Sequence, residues 1–183
     1  MTAEDYFLLA IDPGVSGAYA WRQEGLPPDC APLKSSEDLV TLYDQFKALP
    51  FSDAPRRVAF LEEVSGFAGT ARPGRSMFTF GRAFGRVEAW LTAHQFEVHR
   101  IRPQKWQKEF SVLSRAGESR PAHKKRLLAL SRERAPYYLK NKITIRTADA
   151  YLLLCYGWKY VSNSFSPLVP ANALAQGETP DID

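Results

Sequence analysis

A single α/β domain, a mixed sheet with helices packed on it, is predicted by three features of the chain. Short apolar segments of strand character alternate with amphipathic helical ones, in the order strand, hairpin partner, helix, strand, helix, strand, helix, helix. The 183 residues suit one domain and suffice to bury roughly 70% of the unfolded chain's surface. No internal repeat or linker-like stretch divides them.

The elements follow from local pattern. DYFLLAID (5–12) is an apolar run short enough for a buried strand, and it ends on a charge. AYAWRQEG (18–25) is its hairpin partner, and GLPPDC reads as a turn. SSEDLVTLYDQFKALP (35–50) opens with a Ser cap and early acids. It then sets Leu39, Leu42, Tyr43 and Phe46 on one helical face. RRVAFLEEV (56–64) is a second apolar strand ending in acids. SGFAGTARPGRS (65–76) is too long and Gly-rich for a simple connector. MFTFGRAFGRVEAWLTAH (77–94) is helical. FEVHRI (96–101) is a third strand, followed by PQKWQKEF, a helical turn with Pro at its start. A basic helix spans 121–134 and a largely apolar one 147–160. Residues 161–183 carry Pro, Ser and Gly without a period and are expected to form an irregular or flexible tail.

Charge narrows the partner class. Net charge is only +4, yet residues 100–146 hold fourteen Lys and Arg against three acids, so that segment is +11 and the remainder −7. Such a patch favours a phosphate backbone through counterion release, although it also steers other anions. No apolar run is long enough for a membrane span, and the acidic N-terminus does not read as a signal peptide. Cys30 and Cys155 lie far apart in no metal or redox pattern, so a reduced, cytoplasmic setting is expected. No Walker-type loop or nucleophile triad is present, and His94, His99 and His123 have no ligand spacing.

The chemistry is expected from three acids. Asp12 ends the first strand on the face of Leu8 and Ala10. Glu62 ends the second on the face of Val58 and Phe60, and Glu63 points oppositely, so only one of the two converges with Asp12. Asp149 opens the last apolar helix. Singly, each acid has a structural use: an Asx turn before Pro13 and Gly14, a solvated strand end, a complement to the helix dipole. Together, at the carboxyl ends of strands and beside a basic segment, they suit hard divalent cations. Two such ions about 4 Å apart clamp the attacking and leaving oxygens of a phosphodiester displacement.

Five segments occur in order over residues 7–159: AIDPGVSGAYA, FLEEV, SMFTFGRAFGRVEAWL, IRPQKWQKEF and RTADAYLLLCYG. In them the chain resembles the RuvC-like Holliday junction resolvases, closest to the bacteriophage and prophage branch, which shares FGR-x-[FY]-G and P-Q-K-W. The resemblance implies an RNase H-like mixed sheet flanked by helices on both faces, with residues 1–160 as one nuclease domain. It implies an endonuclease that uses Mg²⁺, with Mn²⁺ as substitute, acts on four-way or branched DNA, and works as a homodimer. Asp12, Glu62 and Asp149 carry over as the metal-binding, catalytic acids. Lys124 or Lys125 carries over as the phosphate-contacting lysine. Lys105, Lys108, Arg72 and Arg75 are further candidates for DNA contact, and Phe67 for stacking on splayed bases. The Gly81 and Gly85 side of the 77–94 helix is the expected dimer face. One departure stands out: the family's second Asp or His before the last acid is replaced here by Arg146, a candidate for the scissile phosphate. Glu63, Asp181 and Asp183 are the remaining candidates for a fourth oxygen ligand. Nucleases of other branched DNA or of RNA–DNA hybrids, and a junction-binding protein with impaired cleavage, are the alternative readings.

Overall fold

Strand β1 (Tyr6–Asp12) is apolar on both faces, so both must be covered. It takes the centre of a five-stranded sheet ordered β3-β2-β1-β4-β5, with β2 at Ala18–Gln23, β3 at Asp29–Pro32, β4 at Arg56–Glu62 and β5 at Glu97–Ile101. β2 runs antiparallel to β1 and to β3, whereas β4 is parallel to β1 and to β5. The computed structural model describes residues 6–14, 16–34, 39–52, 54, 56–63 and 74–164, with backbone alone at 39, 74–76, 163 and 164.

The period of two along the strands sorts the core into two layers. Leu8, Ala10, Ala20, Val58 and Phe60 pack under α4 (Arg120–Arg134) and α5 (Ala148–Ser164) through Leu127, Leu152 and Tyr156. Phe7, Leu9, Ile11, Ala59 and Leu61 pack under α1 (Leu39–Lys47) and α2 (Gly74–Ala93) through Leu42, Phe46, Val87, Trp90 and Leu91. Each such large side chain contributes about 1.5–3 kcal/mol by leaving water. The mixed α/β sheet flanked by helices on both faces is thus observed as expected.

Two close approaches position the site. A Cβ on Gly157 of α5 would stand 2.6 Å from the Phe60 ring, so only glycine lets the last helix lie this close to β4. A Cβ on Gly17 would stand 2.2 Å from the Asp12 carbonyl oxygen, so the turn from β1 to β2 also needs its glycine.

Two boundaries correct the sequence expectation. The stretch read as a turn up to Cys30 gives way at Asp29 to β3, an edge strand that tolerates Pro32 because an edge need not donate on both sides. The last helix continues through Ser164, four residues into the segment expected to be irregular, because Val161 is buried in the core and keeps that turn packed. Residues 165–183 lie outside the described residues.

Candidate active site at the carboxyl ends of β1 and β4

The register places the first two acids side by side. Ile11 pairs with Leu61 across the parallel strands, so Asp12 and Glu62 are the next neighbours at the same end. Both fall on the sheet face covered by α5, whose first turn brings Asp149 over them. Asp12 is half-buried, and Glu62 and Asp149 are buried. The carboxylates feel one another. Burial, then Asp12 and Asp149, pushes Glu62 up to about 8, against the Trp106 N–H and the Lys124 ammonium. Burial raises Asp12 as well, with Asp149 adding to it and the Gly14 N–H and Lys124 opposing.

Each acid has one holder. The Gly14 N–H donates to Asp12 Oδ1 at 3.0 Å, an Asx turn that fixes the carboxylate at the strand end. Trp106 Nε1 donates to Glu62 Oε2 at 3.1 Å from α3 (Pro103–Glu109), with the indole wholly buried. Lys124 Nζ donates to Asp149 Oδ2 from the first turns of α4. The Asp149 Oδ1 atom is buried and has no hydrogen-bond partner among the described residues.

Three desolvated carboxylates demand positive charge, and Lys124 supplies a single unit. The donors are all carboxylate oxygens, the kind that hard divalent cations select, and the orphaned Asp149 Oδ1 offers a free lone pair. The residues therefore fit a Mg²⁺-class ion by donor chemistry. Among the described residues, no three His, Cys, Asp or Glu side chains stand in an arrangement that holds a metal ion, so the acids converge without forming a closed cage.

Solved structures with this arrangement of elements exist. The chain matches RuvC of T. thermophilus in complex with a Holliday junction substrate, with a TM-score of 0.54 and 12% identity over 87% of this chain and 97% of that one. The fold is RuvC-like. Two looser likenesses are a second T. thermophilus RuvC structure (TM-score 0.48, 13% identity, 86% and 96% covered) and the yeast mitochondrial Holliday junction resolvase (0.46, 12%, 87% and 83%). No protein family and no curated protein matches the sequence.

On this RuvC-like frame the other predicted residues separate into groups. Lys124 joins the acids. Lys125, Lys105 and Lys108 are exposed, and among the described residues none of them pairs with the acids. Arg146 is tied to backbone: its Nε donates to the Gly17 carbonyl at 3.2 Å and its Nη2 to the Leu33 carbonyl at 2.8 Å. It staples the turn after Asp12 to the end of β3. Glu63, one residue past Glu62 and so alternating to the opposite face, meets the Arg102 guanidinium at 3.4 Å. Phe67, Arg72, Asp181, Asp183 and the Arg75 side chain lie outside the described residues.

Sequence reading did not single out the Trp106 contact. A signal existed: a buried Trp keeps its N–H paired, and Trp106 follows β5, whose Ile101 is the register partner of Glu62.

Proposed function

We propose that this chain is a Mg²⁺-dependent endonuclease of the RuvC-like, phage and prophage kind that cuts four-way DNA junctions. The observation that carries the reading is the meeting of Asp12, Glu62 and Asp149 at the carboxyl ends of β1 and β4, with a buried Asp149 oxygen left unpartnered among the described residues. The fold likeness to a RuvC solved with a Holliday junction substrate supports the choice of substrate.

Asp12, Glu62 and Asp149 would hold the metal. The bound ion supplies a Lewis acid at the phosphate and makes water a stronger nucleophile near neutral pH. The chain's own residues do the rest. The Gly14 N–H and the Trp106 indole aim their carboxylates, and the helices over the face limit the water that reaches them. Lys124 offsets charge at Asp149 and, once freed from it, would pair with a backbone phosphate. Exposed Lys105, Lys108 and Lys125 hold the backbone electrostatically. Water attacks phosphorus, the P–O3′ bond breaks, and the departing oxygen takes a proton. The products carry 5′-phosphate and 3′-hydroxyl ends.

A second reading, a junction-binding protein with impaired cleavage, is favoured by the absence of a three-acid cage among the described residues. One assay tests both. The chain is incubated in Mg²⁺ with a synthetic four-way junction, a forked duplex and an RNA–DNA hybrid, singly and in competition. Preferential nicking of the junction supports the proposal. Tight junction binding without nicking gives the second reading, and preferential hydrolysis of the hybrid overturns both.

A further inference from the structure

A cavity of about 550 Å³ opens between the carboxyl-terminal halves of α4 and α5 and the carboxyl end of β2. Its Trp158 wall stands nine residues along α5 from Asp149, about 13 Å at 1.5 Å per residue, while Tyr151 of the same helix also lines it. Its volume is in the range of small-molecule sites.

Its chemistry is lopsided. Arg22 places its guanidinium carbon 3.7 Å from the Trp158 ring centre, and Arg134 places its own 4.6 Å from that of Phe110. Lys159 adds a third cation, already paired with Glu109 outside the cavity. Among the described residues no carboxylate lines the wall, while Tyr138, Pro28 and Pro136 extend its flat apolar surface. The Cys155 thiol, pushed up to about 11 chiefly by burial, contributes no negative charge. Two guanidinium–aromatic pairs flanking one cleft with no acid in it match a ligand that is planar, aromatic and anionic.

We propose that this cavity binds a nucleotide, its base against the Trp158 and Phe110 walls and its phosphate on Arg22 and Arg134. The same chemistry is offered by a free mononucleotide and by the unpaired end of a DNA strand. The inference does not rest on the nuclease reading, since no residue is shared with the carboxylate site.

The test uses the full chain and two readouts, calorimetric binding and the rate at which a thiol reagent alkylates Cys155. The probes are dAMP, a short single-stranded oligodeoxynucleotide, deoxyadenosine and inorganic phosphate. Binding by dAMP or by the oligonucleotide, with slowed alkylation, is expected, and the two arms identify which source fits. Arg134→Glu and, separately, Arg22→Ala are expected to weaken that binding by about tenfold or more, the loss of roughly 1.4 kcal/mol. Either variant serves if it melts like the parent chain. The proposal is overturned if neither dAMP nor the oligonucleotide protects Cys155. It is also overturned if phosphate alone protects as well as dAMP, or if binding survives unchanged in a folded variant.

Discussion

At the scale of single residues, the decisive feature is that Glu62 is buried beside two other carboxylates. An acid whose folded value lies above its ordinary one binds a proton more tightly in the folded state. Below pH 4.5 both states are protonated and no stability is lost. Between 4.5 and about 8 the unfolded chain ionises first, so stability falls as pH rises, and it levels off above about 8. Without metal, Glu62→Gln should therefore melt higher than the parent chain at pH 8, with the gap closing toward pH 4.5. A gap of equal size at both pH values would show that Glu62 carries no such penalty. Added Mg²⁺ should stabilise the parent chain at pH 8 and the variant less. Trp106 acts on the same side chain through its N–H. Trp106→Phe keeps an aromatic ring but loses the donor, and the Glu62 carboxylate then turns freely. Loss of one such holder of a metal ligand costs about 10- to 100-fold in metal affinity or activity. Cleavage rates measured across Mg²⁺ concentration should show that drop, and an unchanged profile would reduce Trp106 to packing alone. Both contacts bear on legibility. The positions of the three acids at strand and helix ends were legible because strand alternation and element ends are written locally. The Trp106 contact was not, because it joins two elements 44 residues apart. The partners Arg146 takes in the fold were not legible either: they are backbone carbonyls, which no sequence pattern names.

At the scale of elements, the site depends on how closely α5 lies on the sheet. Asp149 reaches the strand ends because Gly157 lets the helix settle against Phe60. Gly157→Ala places a Cβ where ring carbons stand at 2.6 Å, so the helix must shift or Phe60 must leave its rotamer. Overpacking of this kind costs about 1–3 kcal/mol. A lower melting temperature together with reduced cleavage is expected, and full activity in the variant would show that the approach of α5 does not set the position of Asp149. α4 is held by its own supports. Ser119 caps it, and Arg126 pairs with Glu118 and donates to the Leu113 carbonyl, which anchors the loop before it and so fixes Lys124. The helices were legible to within a few residues because their apolar faces repeat at helical spacing. β3 was not, because four residues with a proline at the end carry too little pattern.

At the scale of the whole molecule, the basic segment and one side of α2 are the surfaces at which partners are expected. Among the described residues, nothing stands within 4 Å of where a Cβ would sit on Gly81 or Gly85, and Phe78 is 67% exposed beside them. A second copy seated on this side would complete the homodimer read from the sequence. Gly85→Arg should leave melting temperature the same or higher, because glycine inside a helix is about 1 kcal/mol worse than a good helix former. It should also convert a dimer to a monomer in light scattering coupled to size-exclusion chromatography. A parent chain that is itself monomeric at all concentrations would remove the dimer. The overall α/β architecture was legible from the order of elements alone. The convergence of the acids was legible only as far as alternation could carry it, since the angle at which α5 crosses the sheet is set by tertiary packing. The most direct measurement is nicking of a synthetic four-way junction in Mg²⁺ and in chelator, by the parent chain and by Asp12→Asn, Glu62→Gln and Asp149→Asn. The parent chain should nick only with Mg²⁺, and each amide should lose more than the roughly 100-fold that removal of an outer holder costs. Nicking that persists in chelator, or in any one of the three amides at the parent rate, would contradict a metal site shared by these carboxylates.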